Sequence, residues 1–108
     1  MSADLRLEGE LTIVAAAAQR EAWLGWLTET AAADPAEWPA VRLDLAAVEA
    51  FDSAGVQLLL ALQHSLAGRG QKLVLVEPSA CVRDGLRRFG LQQRLPEAAE
   101  AVEAAAAT

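Results

Sequence analysis

Tyrosine is absent from this 108-residue chain, and cysteine, histidine and methionine occur once each. The lone Cys81 has no second thiol for an intramolecular disulfide, which fits a reducing compartment. It reads as a small hydrophobe on a helix rather than as a reactive thiol. A single histidine, His64, leaves any histidine-based metal site or proton relay resting on one group. Large rings are few: Trp23, Trp26, Trp38, Phe51 and Phe89. Leu, Val and Ala must therefore build the core. Cations are also scarce. Nine Lys+Arg stand against fifteen Asp+Glu, a formal charge of −6. Such a chain is repelled by phosphate backbones and acidic membrane surfaces, so nucleic acid is not an expected partner. The longest apolar stretches, around Leu58–Leu62 and Leu73–Val76, fall far short of the roughly 20 residues a membrane span needs. No charged-then-apolar leader opens the chain. The expectation is a cytoplasmic protein without direct membrane insertion, cofactor or metal.

What is present is a core. Hydrophobic residues make up 54% of the chain, too many for disorder. The length suits one domain spanning residues 1–108. Leu5-Arg6-Leu7 and Leu11-Thr12-Ile13 alternate on either side of Gly9, the pattern of a short β-hairpin. Residues 15–33 are rich in helix formers, with Trp23, Trp26, Leu27 and Thr30 at helical spacing. Asp34-Pro35 stops that helix. A loop through Trp38 follows, then an alternating strand over Val41–Leu45. Ser53–Ala67 reads as an apolar helix ending at Gly68-Arg69-Gly70. Lys72–Val76 is a continuous apolar run, typical of a central strand. Pro78-Ser79 opens another helix, with Val82, Leu86 and Phe89 as a buried stripe and Gly90 as its C-cap. Residues 97–107 suggest a terminal helix begun by Pro96. The order β-β-α-β-α-β-α-α implies an α/β fold with a mixed sheet and helices mainly on one face.

The densest information lies at Phe51-Asp52-Ser53-Ala54-Gly55-Val56, where a strand hands over to a helix. Asp52 or Ser53 suits an N-cap, because its side-chain oxygen accepts from free backbone N–H groups. The same end, with its positive dipole, is hospitable to a phosphate. The residues alone leave both readings open, a plain cap or a modified hydroxyl. Hydrolase chemistry between Ser53 and His64 is excluded by spacing. Eleven residues of helix separate them by roughly 16 Å, against the roughly 3 Å that a Ser–His pair needs. Arg83, Arg87 and Arg88 form a basic cluster. It reads as a solvated face partly paired with Asp84, or as an anion or partner contact. Gly68-Arg69-Gly70 lacks the length and lysine-serine ending of a P-loop.

The run Leu43–Leu62, with Asp-Ser-Ala-Gly at its helix start, resembles the STAS domain of bacterial anti-sigma factor antagonists. Leu7-Glu8-Gly9-Glu10-Leu11 is similar to that family's first hairpin. Leu73–Val76, Val82, and Leu86 with Phe89-Gly90-Leu91 are similar to its fourth strand and third helix. Thr12 stands where many members carry an aspartate. The resemblance implies a non-enzymatic signalling module that binds a partner protein, an anti-sigma factor that is also a serine kinase. It implies phosphorylation at Ser53, with release of the partner. Asp52, Ala54, Gly55, Val56 and Glu49 would complete the contact surface, Asp52 shaping the loop and Gly55 allowing close approach. Related STAS proteins serve as docking subunits beside chemotaxis genes or in phospholipid-transport ABC complexes. A module binding a small ligand or nucleotide through Arg83, Arg87 and Arg88 is a further alternative.

Overall fold

The computed structural model describes residues 3–30, 39–95 and 97. Three strands and three helices alternate: β1 (Ala3–Leu11), α1 (Ala16–Glu29), β2 (Ala40–Phe51), α2 (Ser53–Ala67), β3 (Lys72–Val76) and α3 (Ala80–Arg88). The sheet order is β1-β2-β3, and both pairings are parallel. Parallel neighbours need long crossovers, and α1 and α2 supply them.

The hairpin expected around Gly9 is instead one continuous strand. Gly9 has φ +90, but it does not reverse the chain. It sits at one of two irregularities where β2 carries an extra residue relative to β1, between Arg6 and Glu8 and between Gly9 and Glu10. The physical reason is the core. Leu7 and Leu11 are both buried in one hydrophobic cluster, and residues on either side of Gly9 pair in parallel with the same strand, β2, which a reversal at Gly9 would prevent. Among the described residues the sheet is therefore parallel throughout, not mixed. The bulges also explain burial along β2. Val41, Leu43 and Leu45 alternate inward, and Val48 points the same way after a three-residue step.

Helices cover one sheet face, as expected. Val56, Leu59, Leu62 and Leu66 of α2 form its buried stripe. Val82 and Leu86 do the same for α3. The other sheet face shows Asp4, Arg6, Glu8 and Arg42 to water. Phe89 is 49% exposed rather than buried, because α3 ends one residue before it. The end is a Schellman motif: Gly90, at φ +68, donates to the Arg87 carbonyl, and the Leu91 N–H reaches Leu86. Trp23 is buried and Trp26 packs against the core. Trp38 and the proposed terminal helix fall outside the described residues.

Candidate functional site

β2 outruns β3 by seven residues and ends beside the last residue of β1, where Leu11 pairs with Phe51. The chain then turns directly into α2. Asp52, in extended geometry at φ −136 and ψ −170, is the N-cap. Its Oδ1 accepts from the N–H groups of Ala54 at 2.9 Å and Gly55 at 3.3 Å. Its Oδ2 accepts from the N–H of Ile13 at 3.0 Å. Its own N–H donates to the Leu11 carbonyl at 3.2 Å. One residue thus stitches the end of β1 to the start of α2. The carboxyl pKa is lowered from 3.8, chiefly by the Ile13 N–H, with Gly55 and Ala54 adding, while desolvation opposes.

Ser53 is the first residue of α2, exposed, and its hydroxyl makes no hydrogen bond among the described residues. The capping duty belongs to Asp52, which leaves the Ser53 hydroxyl available. Glu49 is exposed and Ala54 half-buried. Gly55 and Val56 are buried. Gly55 is bare for an internal reason. A β-carbon there would collide with the Leu11 carbonyl oxygen and lie 2.9 Å from the Phe51 ring. These two residues shape the cap from beneath.

Two exposed residues complete the surface and were not singled out in the sequence. Ile13 is 73% and Val14 84% exposed, on the segment that Asp52 holds. The alternation of Leu11-Thr12-Ile13 had put Ile13 in a strand, but β1 stops at Leu11 and Ile13 lies beyond it. The two segments framing Ser53, residues 7–19 and 43–68, contain Glu8, Glu10, Asp44, Glu49 and Asp52 and neither lysine nor arginine. Arg6, just outside the first segment, pairs with Glu8 at 3.4 Å, so the acidic setting of the apolar pair comes from Glu10, Glu49 and Asp52.

The arginine cluster lies elsewhere, on α3, and is partly neutralised. Arg83 makes two hydrogen bonds to Glu97, at 3.1 and 3.2 Å. Arg87 lies 3.9 Å from Asp84, and Arg88 is exposed. His64 is an exposed residue near the far end of α2. Cys81 Sγ contacts Ser79 Oγ at 3.3 Å and the Val48 carbonyl at 3.4 Å, the setting of a packed thiol. Among the described residues no cluster of three or more His, Cys, Asp or Glu is placed to hold a metal. Nor is any helix there long and apolar enough to cross a membrane.

Comparison with known proteins adds the family. No curated protein matches this chain. Among solved structures, one titled as the anti-sigma factor antagonist SpoIIAA in its unphosphorylated form superposes with a TM-score of 0.67. Its sequence is 23% identical, over 97% of this chain and 88% of the other, so the likeness is one of fold. A family model described as "Mlab, STAS domain" matches residues 2–97. With nearly the whole described fold inside that match, the chain belongs to the STAS domain family.

Proposed function

We propose that this chain is a non-enzymatic docking module of the anti-sigma factor antagonist kind, cytoplasmic, and switched by phosphorylation of Ser53. The observation that carries the reading is the division of labour at the cap: Asp52 satisfies the helix end, and the neighbouring hydroxyl stands exposed and unbonded. A partner kinase would bring ATP to it. The Ser53 oxygen would bond to the γ-phosphorus, the bond to the ADP oxygen would break, and the hydroxyl proton would leave through a base of the kinase. The product carries about −1.5 to −2 charge at neutral pH. At a helix N-terminus that charge is tolerated or favourable to the fold. Inside an interface, facing another acid, it costs roughly several kcal/mol. Modification thus releases the partner and keeps the domain folded.

The test is incubation with ATP and the cognate serine kinase, followed by mass spectrometry. Phosphate on Ser53 supports the switch; phosphate elsewhere, or none, removes it. Ser53→Asp should weaken partner binding, and Ser53→Ala should retain it.

The Mlab description of the matching family model favours a second reading. In it the domain is a constitutive docking subunit, as in phospholipid-transport ABC complexes, and Ser53 merely begins a helix. Co-purification separates the two. An ABC ATPase as partner favours the subunit, a histidine-kinase-like ATPase the switch.

A further inference from the structure

Asp52 serves two segments with one carboxylate. Oδ1 holds the helix end through Ala54 and Gly55, and Oδ2 holds the N–H of Ile13. Apart from this bond, the backbone ties of the segment between β1 and α1 are both at Ala15 among the described residues: its N–H donates to the Thr12 carbonyl at 3.1 Å, and its carbonyl accepts from Gln19 at 3.0 Å. Thr12 Oγ1 points to Glu10 instead. Ile13 and Val14, the most exposed of the large apolar residues among those described, therefore owe their position largely to Asp52.

We propose that Asp52 is a latch through which modification of Ser53 reaches the Ile13–Val14 segment. The inference rests on the Ser53 reading above. A phosphate on Ser53 is a second anion at a helix end with few free N–H groups. It is drawn to the same Ala54 and Gly55 donors and carries more charge than the carboxylate. Like charges repel, and the carboxylate is the weaker competitor. Once Oδ1 loses its donors the carboxylate turns away, and Oδ2 no longer accepts from Ile13. The backbone bonds from Asp52 N–H to Leu11 and from Val56 N–H to Asp52 do not involve the carboxylate and persist. The change is confined to Thr12–Ala15.

The segment is then the apolar half of the docking surface. Its occupant is the partner protein itself. Glu8 is paired with Arg6 at 3.4 Å, but Glu10, Glu49 and Asp52 form no ion pair among the described residues, and this acidic setting calls for an apolar pocket rimmed by Lys and Arg. Unmodified protein presents Ile13 and Val14 in a fixed geometry; modified protein lets them loosen.

Amide hydrogen exchange on the full chain tests this without the partner. The forms compared are wild type, Ser53→Ala, Asp52→Ala, Asp52→Asn and protein with phosphoserine encoded at position 53. Exchange at Ile13 should rise roughly five- to tenfold with phosphoserine, the range that loss of one hydrogen bond gives. Asp52→Ala should match it, or Asp52→Asn where the alanine variant does not fold. Ser53→Ala should not change it, and Val56 should stay protected in all. An unchanged Ile13 amide in the phosphoserine protein overturns the latch. If partner release still occurs in that protein, the switch stands without it. If the kinase leaves Ser53 unlabelled while encoded phosphoserine still frees Ile13, the latch stands and the switch reading falls.

Discussion

The ring of Phe51 packs against the bare backbone of Gly55, so closely that a β-carbon there would lie 2.9 Å from both Cδ1 and Cε1. The other side of the same ring faces Gly85 of α3, where an added β-carbon would lie 2.6 Å from Cε2. Phe51 is thus clasped between two helices by two missing side chains. It sets how α2, and with it Ser53, leaves the sheet.

The two glycines should respond differently. Gly55→Ala also strikes the Leu11 carbonyl, a backbone atom fixed in the sheet. Gly85→Ala meets only the ring. Each should destabilise by about 1–3 kcal/mol, the usual cost of overpacking. Adding Phe51→Leu should restore much of the loss at Gly85 and little at Gly55. Urea unfolding of the two single and two double variants measures this.

Asp52 should leave a mark on acid stability. Its folded pKa lies below the 3.8 of an unstrained carboxyl, because three N–H groups favour the charged form. For a depressed pKa, the stabilisation is fully present above the unfolded value. It fades as pH falls from about 3.8 through the folded value. Asp52→Asn should be less stable than wild type at pH 7, and the difference should shrink towards pH 2. Thermal melts of both proteins across that range check it.

The same residues show what could be read from sequence. The bounds of α2 were legible because their signals are local: an Asp-Ser cap at one end, Gly68–Gly70 at the other. β3 was legible as a strand from its unbroken apolar run, but that run suggested a central strand, whereas among the described strands β2 is central and β3 lies at the edge. β1 was not. Alternation on both sides of Gly9 fits a turn and a bulge alike, and the choice is made by β2, which pairs in parallel with residues on both sides of Gly9. The role of Gly55 depends on Leu11, 44 positions earlier in the chain, and the exposure of Ile13 on a tie to Asp52, 39 positions away. The place of Ser53 at the start of α2 was legible too, because a hydroxyl beside a capping aspartate is a local pattern.

Ile13 and Val14 separate binding from folding. Both are exposed and outside the core cluster. Replacing both by serine should change unfolding free energy by less than about 0.5 kcal/mol, as for surface sites without special contacts. The proposed docking should nonetheless be lost. Unfolding curves alongside co-purification with the wild-type partner distinguish this from simple destabilisation.

Arg69 offers a test of how α1 is kept in place. Trp23 is the one buried residue of that helix, with Trp26 and Leu27 only partly buried against the core, so side-chain burial secures it weakly. The C-terminal end of α1 is held instead from the turn after α2. Arg69 Nη1 donates to the Leu27 carbonyl at 3.3 Å, and Nη2 donates to the Thr30 carbonyl at 2.6 Å and to Thr30 Oγ1 at 3.1 Å. These are charge-assisted bonds to carbonyls that a helix end leaves without partners. Arg69→Ala should cost about 1.5–3 kcal/mol, the range for bonds involving a charged group. Arg69→Lys should recover less than half of it, because an ammonium cannot span the two carbonyls as the planar fork does. Hydrogen exchange should place the added opening in α1 and leave α2 and β2 protected. A loss spread evenly over all three would mean that Arg69 acts on the whole fold rather than on this one joint.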